Sequence, residues 1–180
     1  MKKHIVWLGV LGLFSGIISG IPTNSQMLIF LPGFIFGTVT ALYFAINKLF
    51  KKRVFLSASL WIIVSTVAFL IAYFLTSLSF TLYTVFLFLT GALGTWILML
   101  CFEYVCFSVP SDYKRKIILL GGLLGLSFFL ADILEEIPSL HYSTDPLLGF
   151  VDQNFMALFI LWQTGIGSAF GWLIDKNIKQ

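Results

Sequence analysis

Charged residues are scarce in this sequence. Only 11% of its 180 residues are Asp, Glu, Lys or Arg, whereas 59% are hydrophobic and 17% are aromatic. An ordinary soluble domain is about 25% charged and about 45–50% apolar, so the composition lies outside that class. It is typical of a protein whose apolar segments are surrounded by lipid.

Residues that commonly carry chemistry are also few. The chain has two histidines, His4 and His141, and two cysteines, Cys101 and Cys106. The zinc-protease pattern HExxH, the Gly-x-Ser-x-Gly pattern and the phosphate-binding Walker pattern are all missing. We therefore expect no cofactor and favour a non-enzymatic role, with metal binding left open. The two cysteines are expected to be small apolar side chains with free thiols.

Six apolar segments are present, and each is about long enough to cross the roughly 30 Å hydrocarbon core of a bilayer. They cover residues 5–21, 27–46, 54–75, 83–106, 117–133 and 155–174. Lipid offers the backbone no hydrogen-bond partners, so the segments are predicted to be helices. The predicted fold is all-α, a single polytopic transmembrane bundle of six helices.

The basic residues alternate between the connections. All eleven lie in the two tails or in every second connection: Lys2, Lys3, Lys48, Lys51, Lys52, Arg53, Lys114, Arg115, Lys116, Lys176 and Lys179. The positive-inside rule therefore predicts that both termini are cytoplasmic, in a bacterial-type cytoplasmic membrane. Short, dispersed basic stretches predict contact with anionic lipid headgroups and no nucleic-acid partner.

The first segment also has features of a secretory signal peptide, because Lys2 and Lys3 precede its apolar run. That run is longer than the apolar region of a typical signal peptide. No small-x-small cleavage site follows it. Both features favour its retention as the first helix.

Glycines recur at four-residue spacing in four of the six segments. They are Gly12, Gly16 and Gly20; Gly33 and Gly37; Gly121 and Gly125; and Gly167 and Gly171. In a membrane such stripes let helix backbones approach closely. We expect tight packing within the chain, and the alternative is a seam with another subunit or a second copy. Leu8 is expected to lie off the stripe of its segment.

Acidic residues concentrate after the fifth segment. Asp132, Glu135 and Glu136 share one helical face, and Asp145 follows in the next connection. Carboxylate oxygens at this density suit Ca²⁺ or another divalent cation. The alternative is a solvated acidic rim without a bound ion.

A few polar residues fall inside the apolar segments, where they are costly and often functional. Glu103 is expected either to pair with the basic cluster at 114–116 or to belong to an intramembrane site. Trp162, Gln163 and Thr164 are adjacent in the sixth segment. A hydrogen bond between helices accounts for Gln163 and Thr164; alternatively, these three residues line a cavity.

Three functions remain open from these observations. The first is a structural or accessory subunit of a membrane assembly, in contact with lipid and other membrane subunits. The second is a permease for a small solute or cation, or its membrane substrate-binding subunit. The third and least favoured is an intramembrane enzyme.

Overall fold

The structure, a computed structural model, describes residues 3–20, 30–51, 53–77, 83–127 and 153–177. Within those ranges it contains six helices and no strand, which confirms the all-α prediction. The helices are α1 Lys3–Gly20, α2 Leu31–Ile46, α3 Val54–Ser77, α4 Tyr83–Val105, α5 Ser111–Gly125 and α6 Gln153–Asn177. Two stretches of them, Val54–Ala72 and Thr84–Val105, are long and apolar enough to cross a membrane.

The start of α5 differs from the prediction. The helix begins at Ser111, so Lys114, Arg115 and Lys116 lie inside it and not in a connection. Hydropathy marks only the apolar part of a helix, whereas its start is set by backbone geometry. Pro110 has an extended ψ of 142° at the N-cap, and Asp112 in the first turn suits the positive end of the helix dipole.

The end of α2 is closed by a turn that uses an unusual residue. The Lys48 N–H donates to the Ala45 carbonyl at 3.1 Å, and the Leu49 N–H donates to the Phe44 carbonyl at 2.9 Å. This pair of bonds is the Schellman motif. It places Lys48 at a φ of 54°, in the left-handed region that glycine normally occupies.

The helices form a closed ring of neighbours. Each helix contacts the next one along the chain, and α6 returns to contact α1 in the most extensive pairing of the bundle. Between Phe159 and Ile174 only Leu161 of α6 is exposed. The last helix is therefore the most enclosed of the six over this stretch.

Four aromatic residues form the centre of the core. Phe44, Trp61, Phe102 and Phe170 come from α2, α3, α4 and α6, and each is 0–1% exposed. The Trp61 ring centroid lies 5.2 Å from that of Phe44, 6.2 Å from Phe102 and 5.5 Å from Phe170. Its indole N–H donates to the Thr40 hydroxyl at 2.7 Å, so the ring is buried without an unpaired donor.

Much of the outside of the bundle is apolar, as its core is. Large apolar side chains cover the outside of the helices, including Phe55 at 85% exposed and Val6 at 63%. Among the residues that the structure describes, the buried polar ones are uncharged: Ser15, Thr40, Ser57, Ser65, Thr90, Thr95, Ser127 and Gln163. Several donate to a carbonyl one turn earlier, as Thr95 does to Gly91 at 2.8 Å.

Candidate functional site

One end of the bundle collects all the described basic residues, and we call it the basic end. Its members are Lys3, Lys48, Lys51, Arg53, Lys114, Arg115, Lys116 and Lys176. Contacts hold these stretches together: the Lys51 N–H donates to the Val105 carbonyl at 2.8 Å, and Lys176 Nζ donates to the Tyr113 hydroxyl at 3.0 Å. Basic stretches that are far apart in sequence therefore meet at one end.

Glu103 organises the connection between α4 and α5. Its Oε2 lies 2.7 Å from Lys114 Nζ, and its Oε1 accepts the Val109 N–H at 2.8 Å. Lys51 Nζ also donates to the Glu103 carbonyl at 3.3 Å. The Glu103 carboxylate is thus paired with groups of the basic end, whereas Gln163 is enclosed between helices.

A cluster of His4, Tyr43 and Asp175 joins three helices at the same end. His4 Nδ1 lies 2.7 Å from the Tyr43 hydroxyl. The Asp175 carboxylate accepts the His4 N–H at 3.4 Å and the Ile5 N–H at 3.2 Å, which satisfies the first turn of α1. Sequence reasoning missed this cluster. The available signal was an acid at the C-terminal end of α6, where the helix dipole disfavours it unless a partner compensates.

Glycines bring α1 and α6 into antiparallel backbone contact. A Cβ on Gly12 would overlap the Gln163 carbonyl, and one on Gly16 would lie 2.5 Å from the Ile160 Cα. On the other side, a Cβ on Gly171 would overlap the His4 carbonyl. A side chain at any of these positions would force the two helices apart.

The other glycines of the stripes pack against α3, α4 or α1. Gly33 and Gly37 lie against α3 near Ser65, and Gly121 and Gly125 lie against α4. Gly167 approaches the Leu8 carbonyl, and Leu8 is 0% exposed. The expectation that Leu8 lies off the glycine stripe was therefore wrong, because Leu8 precedes Gly12 by four residues and shares its face of α1. Gly20 ends α1.

Gln163 is enclosed where α1, α2 and α6 meet. It is 1% exposed, and its Nε2 lies 3.4 Å from both the Ser19 hydroxyl and the Pro32 carbonyl. Within the described residues its Oε1 has no hydrogen-bond partner, and the same holds for Trp162 Nε1 and the Thr164 hydroxyl. Consecutive helical residues point about 100° apart, so these three side chains diverge from one another.

A small cavity of about 50 Å³ lies between α3, α4, α5 and α6. Its walls are mainly apolar and include Ala68, Gly91, Phe159 and Trp162, with Thr90 also lining it. Gln163 and Thr164 do not line it. The cavity therefore gathers only one of the three polar residues of α6.

The acidic residues considered for a cation, Asp132, Glu135, Glu136 and Asp145, lie outside the described residues. Within the described ranges no group of three or more His, Cys, Asp or Glu side chains is placed to hold a metal ion. Cys101 and Cys106 are buried with free thiols. The cation site stays a prediction.

No protein-family model, curated protein or solved structure matches the chain. Functional inference therefore starts from the geometry of the bundle itself.

Proposed function

We propose that the chain is an integral membrane protein with six spans that serves as a non-enzymatic structural or accessory subunit of a membrane assembly. The observation that supports this most strongly is the exposure of large apolar side chains on the outside of the bundle. Val6, Phe55, Ile63, Leu89 and Leu123 are all more than half exposed. Soluble monomers rarely expose contiguous apolar patches beyond a few hundred Å².

The proposed orientation places both termini in the cytoplasm of a cell with a bacterial-type membrane. It is supported by the basic end, where the described lysines and arginines meet through contacts between helices. Cytoplasmic surfaces of membrane proteins are enriched in these residues. The six-span topology counts α5, α6 and the shorter apolar helices Lys3–Ser19 and Leu31–Ile46 as spans, together with the two longer ones.

The packing of the interior favours a subunit role over a permease. A polar solute or cation needs a wet path with polar groups converging on it. The cavity beside Trp162 is mainly apolar, and Gln163 is enclosed elsewhere between α1, α2 and α6. A closely packed interior suits a protein whose role is to hold its neighbours in place.

Cysteine labelling tests the topology. In a variant with Cys101 and Cys106 replaced by Ala, single cysteines at Asn24, Ser79 or Ser143 should react with an impermeant reagent from outside. Cysteines at Lys51, Ser111 or Asn177 should react only after lysis. Reversed reaction at any two sites would reject the six-span, termini-inside arrangement.

Photo-crosslinking tests the subunit role. A photoreactive phenylalanine analogue at exposed Phe55, Ile63 or Leu89 should give a discrete adduct with another polypeptide from one face of the bundle. The same analogue at Phe36, which is 2% exposed, is the matched control and should react only within the chain. Lipid adducts alone at all three exposed sites, together with solute flux in proteoliposomes, would favour the permease.

A further inference from the structure

We propose that the basic end carries a specific site for the phosphate of one anionic phospholipid, centred on Lys176. The site lies in a crevice of about 30 Å³ between the α4–α5 connection and the end of α6. This volume admits about one or two oxygen-sized groups, so the phosphoryl oxygens enter while the rest of the headgroup stays outside. The inference rests on the membrane placement proposed above.

Lys176 is held in position before any ligand arrives. Its Nζ donates to the Tyr113 hydroxyl at 3.0 Å and lies 4.9 Å from the Tyr113 ring centroid and 5.1 Å from that of Trp172. The two rings pack edge to face, with centroids 4.9 Å apart. The ammonium group is still exposed and has two further N–H donors. A fixed cation loses less conformational freedom on binding than a mobile one.

Other residues that can donate hydrogen bonds line the crevice. Ser108 and Asn177 are among them, and the Tyr113 hydroxyl can give its own proton to a phosphate oxygen while it accepts from Lys176. A phosphate group carries negative charge and presents several acceptor oxygens. The donor set therefore matches it better than it matches a cation.

The surface at the basic end stays positive despite its acidic residues. Of the three in the described residues, Glu103 is paired with Lys114 and the Val109 N–H, and Asp175 accepts backbone donors of α1. Asp112, in the first turn of α5, is exposed. It is outnumbered by the surrounding lysines and arginines, so the net field attracts an anion.

The surface next to the crevice favours a lipid over a free phosphate ion. Leu120 lies two turns beyond Tyr113 on the same face of α5, and Leu161 lies three turns from Trp172 on the same face of α6. They are 37% and 38% exposed. An acyl chain can follow this apolar path between α5 and α6 while its headgroup rests on Lys176. Interfacial Tyr and Trp side chains commonly lie at this depth.

Native mass spectrometry of the full chain, equilibrated with equal amounts of phosphatidylglycerol and phosphatidylcholine, tests the site. We expect the unmodified protein to retain phosphatidylglycerol. The Lys176→Gln variant should bind this lipid about fivefold more weakly. Lys48→Gln removes the same charge from the same end but outside the crevice, and should change affinity much less. Tyr113→Phe, which keeps the ring, should give an intermediate loss.

Equal losses for Lys176→Gln and Lys48→Gln would overturn the site and leave only diffuse attraction to the lipid surface. Competition by millimolar inorganic phosphate would also overturn it, in favour of a free anion. Failure of the membrane placement is distinguishable, because it appears as reversed cysteine labelling. If cysteine labelling gives the expected topology but Lys176→Gln does not selectively weaken phosphatidylglycerol binding, only this lipid site is rejected.

Discussion

The indole N–H of Trp61 donates to the hydroxyl of Thr40 at 2.7 Å, and both residues are almost fully buried. The Thr40 hydroxyl in turn donates to the Phe36 carbonyl of its own helix at 2.6 Å. One small side chain therefore satisfies the polar group of the largest ring in the core. The bond joins α2 to α3 beside the central aromatic cluster.

Replacing Thr40 with Val keeps the shape of the side chain and leaves the Trp61 N–H buried without a partner. We expect a loss of about 1–3 kcal/mol in the free energy of unfolding in detergent. Thr38→Val is the matched control, because the Thr38 hydroxyl bonds the Phe34 carbonyl of its own helix. Equal effects of the two substitutions would show that the Trp61 bond contributes nothing measurable.

Gly12 and Gly94 should respond oppositely to replacement by Ala. A Cβ at Gly12 would overlap the Gln163 carbonyl, which is backbone and cannot rotate away, so we expect destabilisation of about 1–3 kcal/mol. A Cβ at Gly94 would lie 3.6 Å from Trp162 Cζ2, an ordinary contact. There Ala should be neutral or stabilise by up to about 1 kcal/mol. Thermal unfolding of both variants measures the difference, and a Gly12→Ala variant as stable as Gly94→Ala would contradict the close contact.

Lys48→Gly should stabilise the protein. Lys48 holds a φ of 54°, a conformation that is unfavourable by about 1–2 kcal/mol for a residue with a Cβ. We expect a gain of about 1 kcal/mol, seen as a higher midpoint of unfolding. Lys51→Gly, in the same connection but without a positive φ, is the comparison and should lose stability, because it adds backbone freedom and removes the bond from Lys51 Nζ to the Glu103 carbonyl. A loss at both positions would reject the strain at Lys48.

Glu103→Gln should weaken the α4–α5 connection by about 1 kcal/mol, because it removes the charge that pairs with Lys114 but keeps an acceptor for the Val109 N–H. The pair is partly exposed, with side chains 18% and 34% accessible, so the effect should shrink at high salt. A double-mutant cycle with Lys114→Gln isolates the pair. A zero coupling energy would show that the ion pair does not stabilise the fold, and Lys116→Gln is the charge control.

Local sequence patterns predicted the helices better than their ends or their partners. Apolar runs located α3 and α4 to within two residues at either end, because helix formation in an apolar segment needs no information from elsewhere in the chain. The start of α5 was missed because hydropathy marks where the apolar stretch begins, whereas the helix itself begins in the polar stretch 111–116. Capping geometry at Pro110, which decides that start, is set by the backbone.

The candidate sites were harder to predict for a different reason. The ion pair of Glu103 with Lys114 involves residues close in sequence, so proximity alone suggested it. His4, Tyr43 and Asp175 come from the first, second and last helices, and only the packing of all three brings them together. Closeness in sequence was misleading for Trp162, Gln163 and Thr164. Adjacent residues on a helix point in different directions, so these three side chains meet different neighbours.

The pairing of α1 with α6 has a consequence for biosynthesis. The face of α1 that carries Gly12 and Gly16 meets residues 159–171, which the ribosome adds more than a hundred residues later. Until then the glycine face of α1 lacks the helix that covers it in the folded chain. The ring of helices can therefore close only after α6 has been synthesised.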